Sequence, residues 1–300
     1  MDRNLALEFV RVTEAAAIAA ASWIGRGDKN AADGAAVDEM RDRFNQIDFR
    51  GRIVIGEGTK DEAPELYEGE SVGKGKGSIL DIAVDPLEGT TNTALGHPNA
   101  MSVIVVGSAG SLMPMPTEQF YIEKIAAGPA AGKVIDLDAP VAVNLKKVAK
   151  ALGKDVRELT AVVLERDRHK KLIAELRKAN VRIRLIAHGD LAPGIATCFP
   201  ESGIDLVLGI GGTPEAVLAA AAIKILGGQL LARFPNHKKI YTADDLAKGT
   251  QLTFTATGVI DGPLLRGVKV SDHKIITHSL VIRGQSGTLR YITTHHHVKQ

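Results

Sequence analysis

Three hundred residues, 45% of them apolar and 24% charged, exclude a disordered, fibrous or membrane-spanning chain and describe a globular enzyme of one large domain or two lobes. With 37 Lys and Arg against 35 Asp and Glu, no whole-chain field favours nucleic acid or an anionic membrane as partner, so any affinity for anions is local. The single cysteine, Cys198, excludes an intrachain disulfide framework and fits a reducing, cytoplasmic compartment; within the apolar run 195–199 it reads as a small buried side chain.

Asn4 caps a first helix in which Leu5, Phe9, Val12, Ala16, Ala20 and Trp23 recur at helical spacing until Gly25 and Gly27 end it. Its most apolar stretch, 15–25, falls short of the roughly 20 residues that cross a bilayer and has charged flanks, so no transmembrane or signal segment is expected. A second helix is predicted over 34–46, through Val37, Met40 and Phe44, and a buried strand over 52–55 delivers Glu57 to its end. The stretch 69–76 predicts a surface turn, because its glycines and Lys74 miss the phosphate-loop spacing. Another strand covers 78–84, and Pro86 then disfavours a helical Asp85, which places Asp85 at that strand's carboxyl end in a turn.

Strands follow over 101–107, 120–126, 161–165, 182–187 and 204–210, with helices over 141–152, 169–179 and 214–226 between several of them. The chain closes in β-rich segments at 252–259, 274–282 and 289–293. The expected architecture is a mixed, layered α/β fold. His295-His296-His297 reads as an exposed strand end rather than a metal trap.

Asp33, Glu57, Asp61, Asp85 and Glu88 all lie in glycine-rich turns or at element ends, from which side chains reach a shared cleft. Two like charges about 4 Å apart repel by roughly 4 kcal/mol at an effective dielectric of about 20, so converging carboxylates call for cations. Oxygen ligands suit Mg²⁺ or Mn²⁺, and no Cys or His cluster at ligand spacing suggests zinc or iron. In Asp85-Pro86-Leu87-Glu88-Gly89-Thr90-Thr91 two carboxylates stand beside a helix opening, and a hydroxyl such as that of Thr90 can orient an attacking water. Metal beside phosphate amides is what a metal-assisted phosphate hydrolase needs. A second opening, Gly209-Ile210-Gly211-Gly212-Thr213-Pro214-Glu215, follows an apolar strand; Pro214 favours a helix start and occupies the place of the third glycine in a dinucleotide motif. Arg166 and Arg168 alternate at the end of the strand over 161–164 and are expected to share a face and hold a second phosphate.

Asp85-Pro86-Leu87-Glu88-Gly89-Thr90 resembles the signature of the lithium-sensitive, metal-dependent sugar and inositol phosphatases. Nearly the whole chain is similar to one branch, the class II (GlpX-type) fructose-1,6-bisphosphatases, including the segments 25–34, Ile55-Gly56-Glu57-Gly58 with Asp61-Glu62-Ala63-Pro64, and 209–215. That resemblance implies a layered αβαβα sugar-phosphatase fold with two closely packed lobes: residues 1–150 as a metal-binding lobe, and 151–300 as a sugar-bisphosphate lobe that also supplies Glu215. It implies Asp33, Glu57, Asp85, Glu88 and Glu215 as ligands of Mg²⁺ or Mn²⁺, and Glu57, Asp61 and Thr90 as catalytic. It also implies Lys29, Glu88, Gly89, Thr90, Tyr121, Arg166, Asp167, Arg168, His188, Gly189, Asp190 and Gly212 as substrate contacts. The chain departs from the family where Lys-Pro-Arg-His is common, with Arg166-Asp167-Arg168-His169, and where Asp-Gly-Asp is common, with His188-Gly189-Asp190.

The implied reaction is hydrolysis of the 1-phosphate of fructose 1,6-bisphosphate, and of sedoheptulose 1,7-bisphosphate as a further substrate, by a homodimer or homotetramer in the cytoplasm. Glu57, or Asp61 at one remove, takes the proton of the attacking water, and Tyr121, Arg166 and Arg168 position the distal phosphate. The alternatives are an inositol monophosphatase-like or nucleotide bisphosphate phosphatase, and a catalytically silent anion- or metal-binding protein.

Overall fold

Phe9, Val12, Ala16 and Ala20 form the buried stripe of α1 (Leu5–Ala21), as their spacing predicts. The computed structural model describes residues 5–57, 66–116, 119–271 and 273–297. After α1 the chain turns on Gly25 and Gly27, at φ 71° and 78°. Asp28 then caps α2 (Lys29–Phe44), its carboxylate accepting the Ala31 amide at 2.9 Å. This cap starts the helix ahead of the expected residue 34, so that Lys29 and Asp33 are helical. Phe9, Phe44 and Phe49 meet with ring centroids 5.3 to 6.2 Å apart. Burying each such ring is worth roughly 1.5–3 kcal/mol.

β1 (Arg50–Ile55) pairs antiparallel with β2 (Ser71–Val72) and parallel with β3 (Ile79–Glu88). The predicted surface turn over 69–76 is therefore a sheet edge, tied down further by buried Glu70, which accepts from Arg41 Nε at 2.7 Å. α3 (Thr90–Leu95) and β4 (Ala100–Ser108) follow, with β4 antiparallel to β3.

The next elements are β5 (Tyr121–Ala127), α4 (Val141–Leu152), β6 (Thr160–Leu164), α5 (Lys170–Lys178), β7 (Arg182–Ile186) and α6 (Leu191–Ala196). Then come β8 (Leu206–Gly212), α7 (Thr213–Ile225), β9 (Gln229–Arg233), β10 (Tyr241–Thr242) and α8 (Ala243–Leu246). Their six strands form one mixed sheet, ordered β10-β9-β5-β8-β6-β7, in which β6 runs parallel to β7 and β8. Leu145, Val148, Ile173 and Leu176 of α4 and α5 cover one face, against Ile125, Ala161, Val163 and Leu208. The run 216–223 of α7 is buried throughout, which explains why that helix lacks a polar face.

β11 (Thr253–Ile260), β12 (Lys269–Ser271), β13 (Lys274–Arg283) and β14 (Thr288–His297) return to the first sheet. Its order is β12-β13-β11-β4-β3-β1-β2, with β14 on β13. Two mixed sheets and eight helices among the described residues make the α/β class expected. The chain divides into two compact units, Met1–Pro114 with Gly249–Gln300, and Met115–Lys248. The expected division fell between residues 150 and 151; here β11 pairs with β4, and the C-terminal strands belong to the first compact unit. Sequence-distant hydrogen bonding is invisible to local periodicity. Histidines 295–297 end β14, alternating exposed and half-buried, with His296 Nε2 at 3.0 Å from Thr277 Oγ1.

Candidate active site

In the first unit, Asp85 does not end its strand. β3 continues through Pro86 to Glu88, and its register on β4 shifts: Asp85 faces Val103 while Glu88 faces Met101. Three steps along β3 therefore match two along β4, which is a one-residue β-bulge. Side chains alternate along a regular strand, so residues three apart point to opposite faces; the bulge returns Asp85 and Glu88 to the same face. Val84 and Leu87, also three apart, are likewise brought together on the face covered by α1 and α2. Pro86 lacks an amide hydrogen, and a bulge is where a strand tolerates that. Glu88 is buried and Asp85 half-buried.

Gly89, at φ 88°, turns the chain from this bulge into α3, and its Cβ position would meet Asn99 O at 2.8 Å, so no side chain fits. Thr90 opens α3, as expected. The last turn of α3 holds the loop ahead of α2: Thr93 O accepts from Gly25 N and Ala94 O from Gly27 N, both at 2.9 Å. Exposed Lys29 and half-buried Asp33 lie in the first turns of the helix that this loop introduces. Burial pushes the Asp33 carboxyl up to about 6. Glu57 lies just past β1, its amide donating to Leu66 O at 3.0 Å. Ile55 pairs with Ala83 on parallel β3, so Glu57 and Asp85 both stand two residues beyond the same rung. Asp61 lies outside the described residues.

In the second unit, parallel strands β7, β6 and β8 end at one edge, where α/β sheets place their ligands. β6 leads to Arg166-Asp167-Arg168, β7 to His188-Gly189-Asp190, and β8 carries Gly212 into α7 and Glu215. The two arginines do not alternate on a strand, contrary to expectation: β6 stops at Leu164, and Asp167–His169 form a 3-10 turn. Arg166 Nη2 meets His188 Nδ1 at 3.1 Å, and Arg166 Nη1 donates to Glu165 O at 2.9 Å. Arg168 lies 5.0 Å from the ring centre of Tyr121 and donates to Ile210 O from Nη2 at 2.9 Å and Nε at 3.1 Å. Asp167 is exposed and paired with Lys170 at 2.9 Å.

The run 209–212, expected as a helix opening after its strand, is part of β8 because β5 pairs with it as far as Gly212 opposite Tyr121. Its glycines have a steric reason. A Cβ on Gly209 would fall 2.8 Å from His169 Nε2, one on Gly211 2.4 Å from Asp190 Oδ2, and one on Gly212 1.9 Å from Glu215 Oε2. Polar side chains thus rest directly on bare backbone. Asp190 is ion-paired with Lys124 at 2.7 Å, both being buried. Glu215 is held above the usual carboxylate range by burial first, with Asp190 adding to the rise and Lys124 opposing it. Its Oε2 is buried with no hydrogen-bond partner.

The family described as bacterial fructose-1,6-bisphosphatase, glpX-encoded, matches residues 3–296. The chain belongs to this family. It is 45% identical over 326 aligned positions to fructose-1,6-bisphosphatase 1 class 2 of Escherichia coli (strain K12), covering 99% of this chain and 96% of that relative. The same figures hold for the class 2 fructose-1,6-bisphosphatases of Escherichia coli O6:H1 (strain CFT073) and Shigella flexneri.

Fructose-1,6-bisphosphatases act on a sugar that carries two phosphate esters. The uncompensated oxygen of Glu215 and the raised Asp33 carboxyl are donors that fit a hard cation. Among the described residues no three His, Cys, Asp or Glu side chains stand close enough to hold an ion as placed. Like-charged carboxylates converge only when a cation offsets their repulsion. Two residues of this phosphatase escaped the sequence reading. Lys124 carried a signal, a lysine among Ile122, Ile125 and Ala126 in a buried strand. His169 carried one too, a histidine directly after the candidate Arg168. Cys198 has its thiol pushed up to about 12 by burial, in keeping with a side chain that does no chemistry.

Proposed function

We propose that this phosphatase hydrolyses the 1-phosphate of D-fructose 1,6-bisphosphate, giving fructose 6-phosphate and phosphate, and that sedoheptulose 1,7-bisphosphate is a second substrate. The observation that carries the reading is the bulge that turns Asp85 and Glu88 to one face immediately before the Gly89-Thr90 helix opening, in a chain of this family. The proposed cation ligands are Asp33, Glu57, Asp85 and Glu88 in the first unit and Glu215 in the second, and the proposed ions are Mg²⁺ or Mn²⁺. When bound, a divalent cation supplies charge against the phosphate and lowers the pKa of a water.

The remaining steps belong to side chains. Glu57, directly or through Asp61, accepts the proton of the attacking water, and the Thr90 hydroxyl orients that water for in-line attack on phosphorus. Lys29 and the amides after Gly89 offer hydrogen bonds to the 1-phosphate oxygens. Arg166 and Arg168 hold the distal phosphate. Arg168 is already braced on Tyr121 and Ile210, so little side-chain entropy remains to be lost on binding. Gly189 and Asp190 contact the sugar hydroxyls, with the Asp190 carboxylate aimed by the hydrogen bond from Lys124 Nζ.

Phosphate release is to be measured on fructose 1,6-bisphosphate, sedoheptulose 1,7-bisphosphate and inositol 1-phosphate, with Mg²⁺, Mn²⁺ or chelator. Turnover of the bisphosphates that chelator abolishes is expected. Preference for inositol 1-phosphate would replace the substrate assignment, and activity that survives exhaustive chelation would remove the cation from the chemistry.

A further inference from the structure

His169 is 2% exposed at the junction of the 3-10 turn and α5, and nothing in the proposed chemistry uses it. Its Nδ1 lies 2.7 Å from the carbonyl oxygen of Leu164, which can only accept, so Nδ1 carries the hydrogen. Its Nε2 lies 2.7 Å from the amide of Ile210, which can only donate, so Nε2 is bare. The two partners together dictate one neutral tautomer. Burial lowers the pKa of the ring, and the flanking Arg168 and Arg166 reinforce the shift while Asp190 and the Leu164 carbonyl oppose it.

The neighbouring Arg168 holds Ile210 from its other side, through the carbonyl. The dipeptide Arg168-His169 thus grips both backbone polar groups of one residue. A strand would ordinarily do this, but β6 pairs with β8 only at Leu206 and Val207. Beyond those rungs the two side chains stand where the ladder has stopped. The ring seats directly on Gly209, at φ 133°, where any Cβ would displace it. Two residues further on, Gly211 and Gly212 support Asp190, Lys124 and Glu215.

We propose that His169 is a positioning residue. In its neutral form it sets the backbone of the run 209–212, and through that backbone the carboxylate of Glu215 and the Arg168–Tyr121 stack. The inference rests on the proposed phosphatase reading, and it deepens that reading.

The test compares His169→Phe, which keeps a ring without hydrogen bonds, with His169→Gln and His169→Asn. A Gln amide reaches as far as Nε2 and can accept from Ile210, whereas an Asn amide reaches only as far as Nδ1. Thermal melting, Mn²⁺ affinity from the electron paramagnetic resonance signal of free Mn²⁺, and kcat and KM on fructose 1,6-bisphosphate are read for each. The folded Phe and Asn variants are expected to lose about 10- to 100-fold in Mn²⁺ affinity or in kcat/KM, as loss of an outer partner of a ligand typically does. His169→Gln is expected to recover most of that loss. Wild-type Mn²⁺ affinity and kcat/KM in folded His169→Phe would overturn the proposal. If His169→Phe does not fold, the Gln and Asn pair decides, and equal values for the two overturn it. A wild-type protein that releases no phosphate from the bisphosphate defeats the phosphatase reading instead, and the Mn²⁺ titration still tests the clamp.

Discussion

Substituting Gly212 by Ala isolates the role of Glu215. At φ −68° and ψ 146° the backbone of Gly212 suits any residue, so the added methyl brings no backbone strain. It would lie 1.9 Å from Glu215 Oε2, and ordinary contact begins near 3.4 Å, so the carboxylate must retreat by about 1.5 Å. That group is the far end of a flexible side chain and has no hydrogen bond at Oε2 to lose. The stability cost is therefore small, within about 1 kcal/mol, as for substitutions that break no packed contact. Function responds differently, because misplacement by about 1 Å can cost on the order of 100-fold in rate. Gly212→Ala is expected to melt within a few degrees of wild type and to lose about 30- to 100-fold in kcat/KM, roughly 2 to 2.7 kcal/mol of transition-state stabilisation. Much of the loss should return at raised Mn²⁺. Calorimetry, Mn²⁺ titration and steady-state phosphate release measure the three quantities. Wild-type turnover and Mn²⁺ affinity in a folded Gly212→Ala protein would show that Glu215 serves neither metal nor rate.

Glu57→Gln and Thr90→Val are expected to keep the fold and reduce kcat by on the order of 100-fold or more, the usual worth of a general base or an oriented nucleophile; undiminished release by Glu57→Gln removes it as proton acceptor. Lys124→Met leaves Asp190 buried without its partner, and urea unfolding should report a loss of about 3–5 kcal/mol. Adding Asp190→Leu should recover most of it, and a double variant no more stable than the single one would contradict the pairing. His169 has a folded pKa below its ordinary 6.5, so the unfolded chain takes up the proton first on acidification. Its contribution to stability is thus complete above about 6.5 and is lost as pH falls from there towards the folded value. The urea midpoint should accordingly drop less steeply between pH 7 and 5 in His169→Gln than in wild type, and parallel slopes count against the buried neutral ring.

Periodicity and caps made most elements legible because they are local. The helix over 141–152 coincides with α4, and α1, α5 and α7 lie within a few residues of their expected bounds. The Asp85 to Thr90 run pointed to phosphate chemistry through the spacing of two carboxylates beside a helix opening. The sequence also contained the glycines of 209–212, but not the reason for them, because a glycine's purpose lies in what approaches it.

The sequence by itself determined the class of fold, since hydrophobic spacing acts over a few neighbouring residues, and its resemblance over nearly the whole chain pointed to the family and the reaction type. Only the tertiary structure decided that Asp85 and Glu88 share a face, because that depends on the register of β3 against β4. It also decided that residues 249–300 complete the first unit, that Arg166 and Arg168 leave a turn rather than a strand, and that His169 and Lys124 serve the glycine run. Each of these depends on groups far apart in the chain meeting in space. The energy that fixes them, from ladder pairing, desolvation and close approach to bare backbone, exists only once the chain has folded.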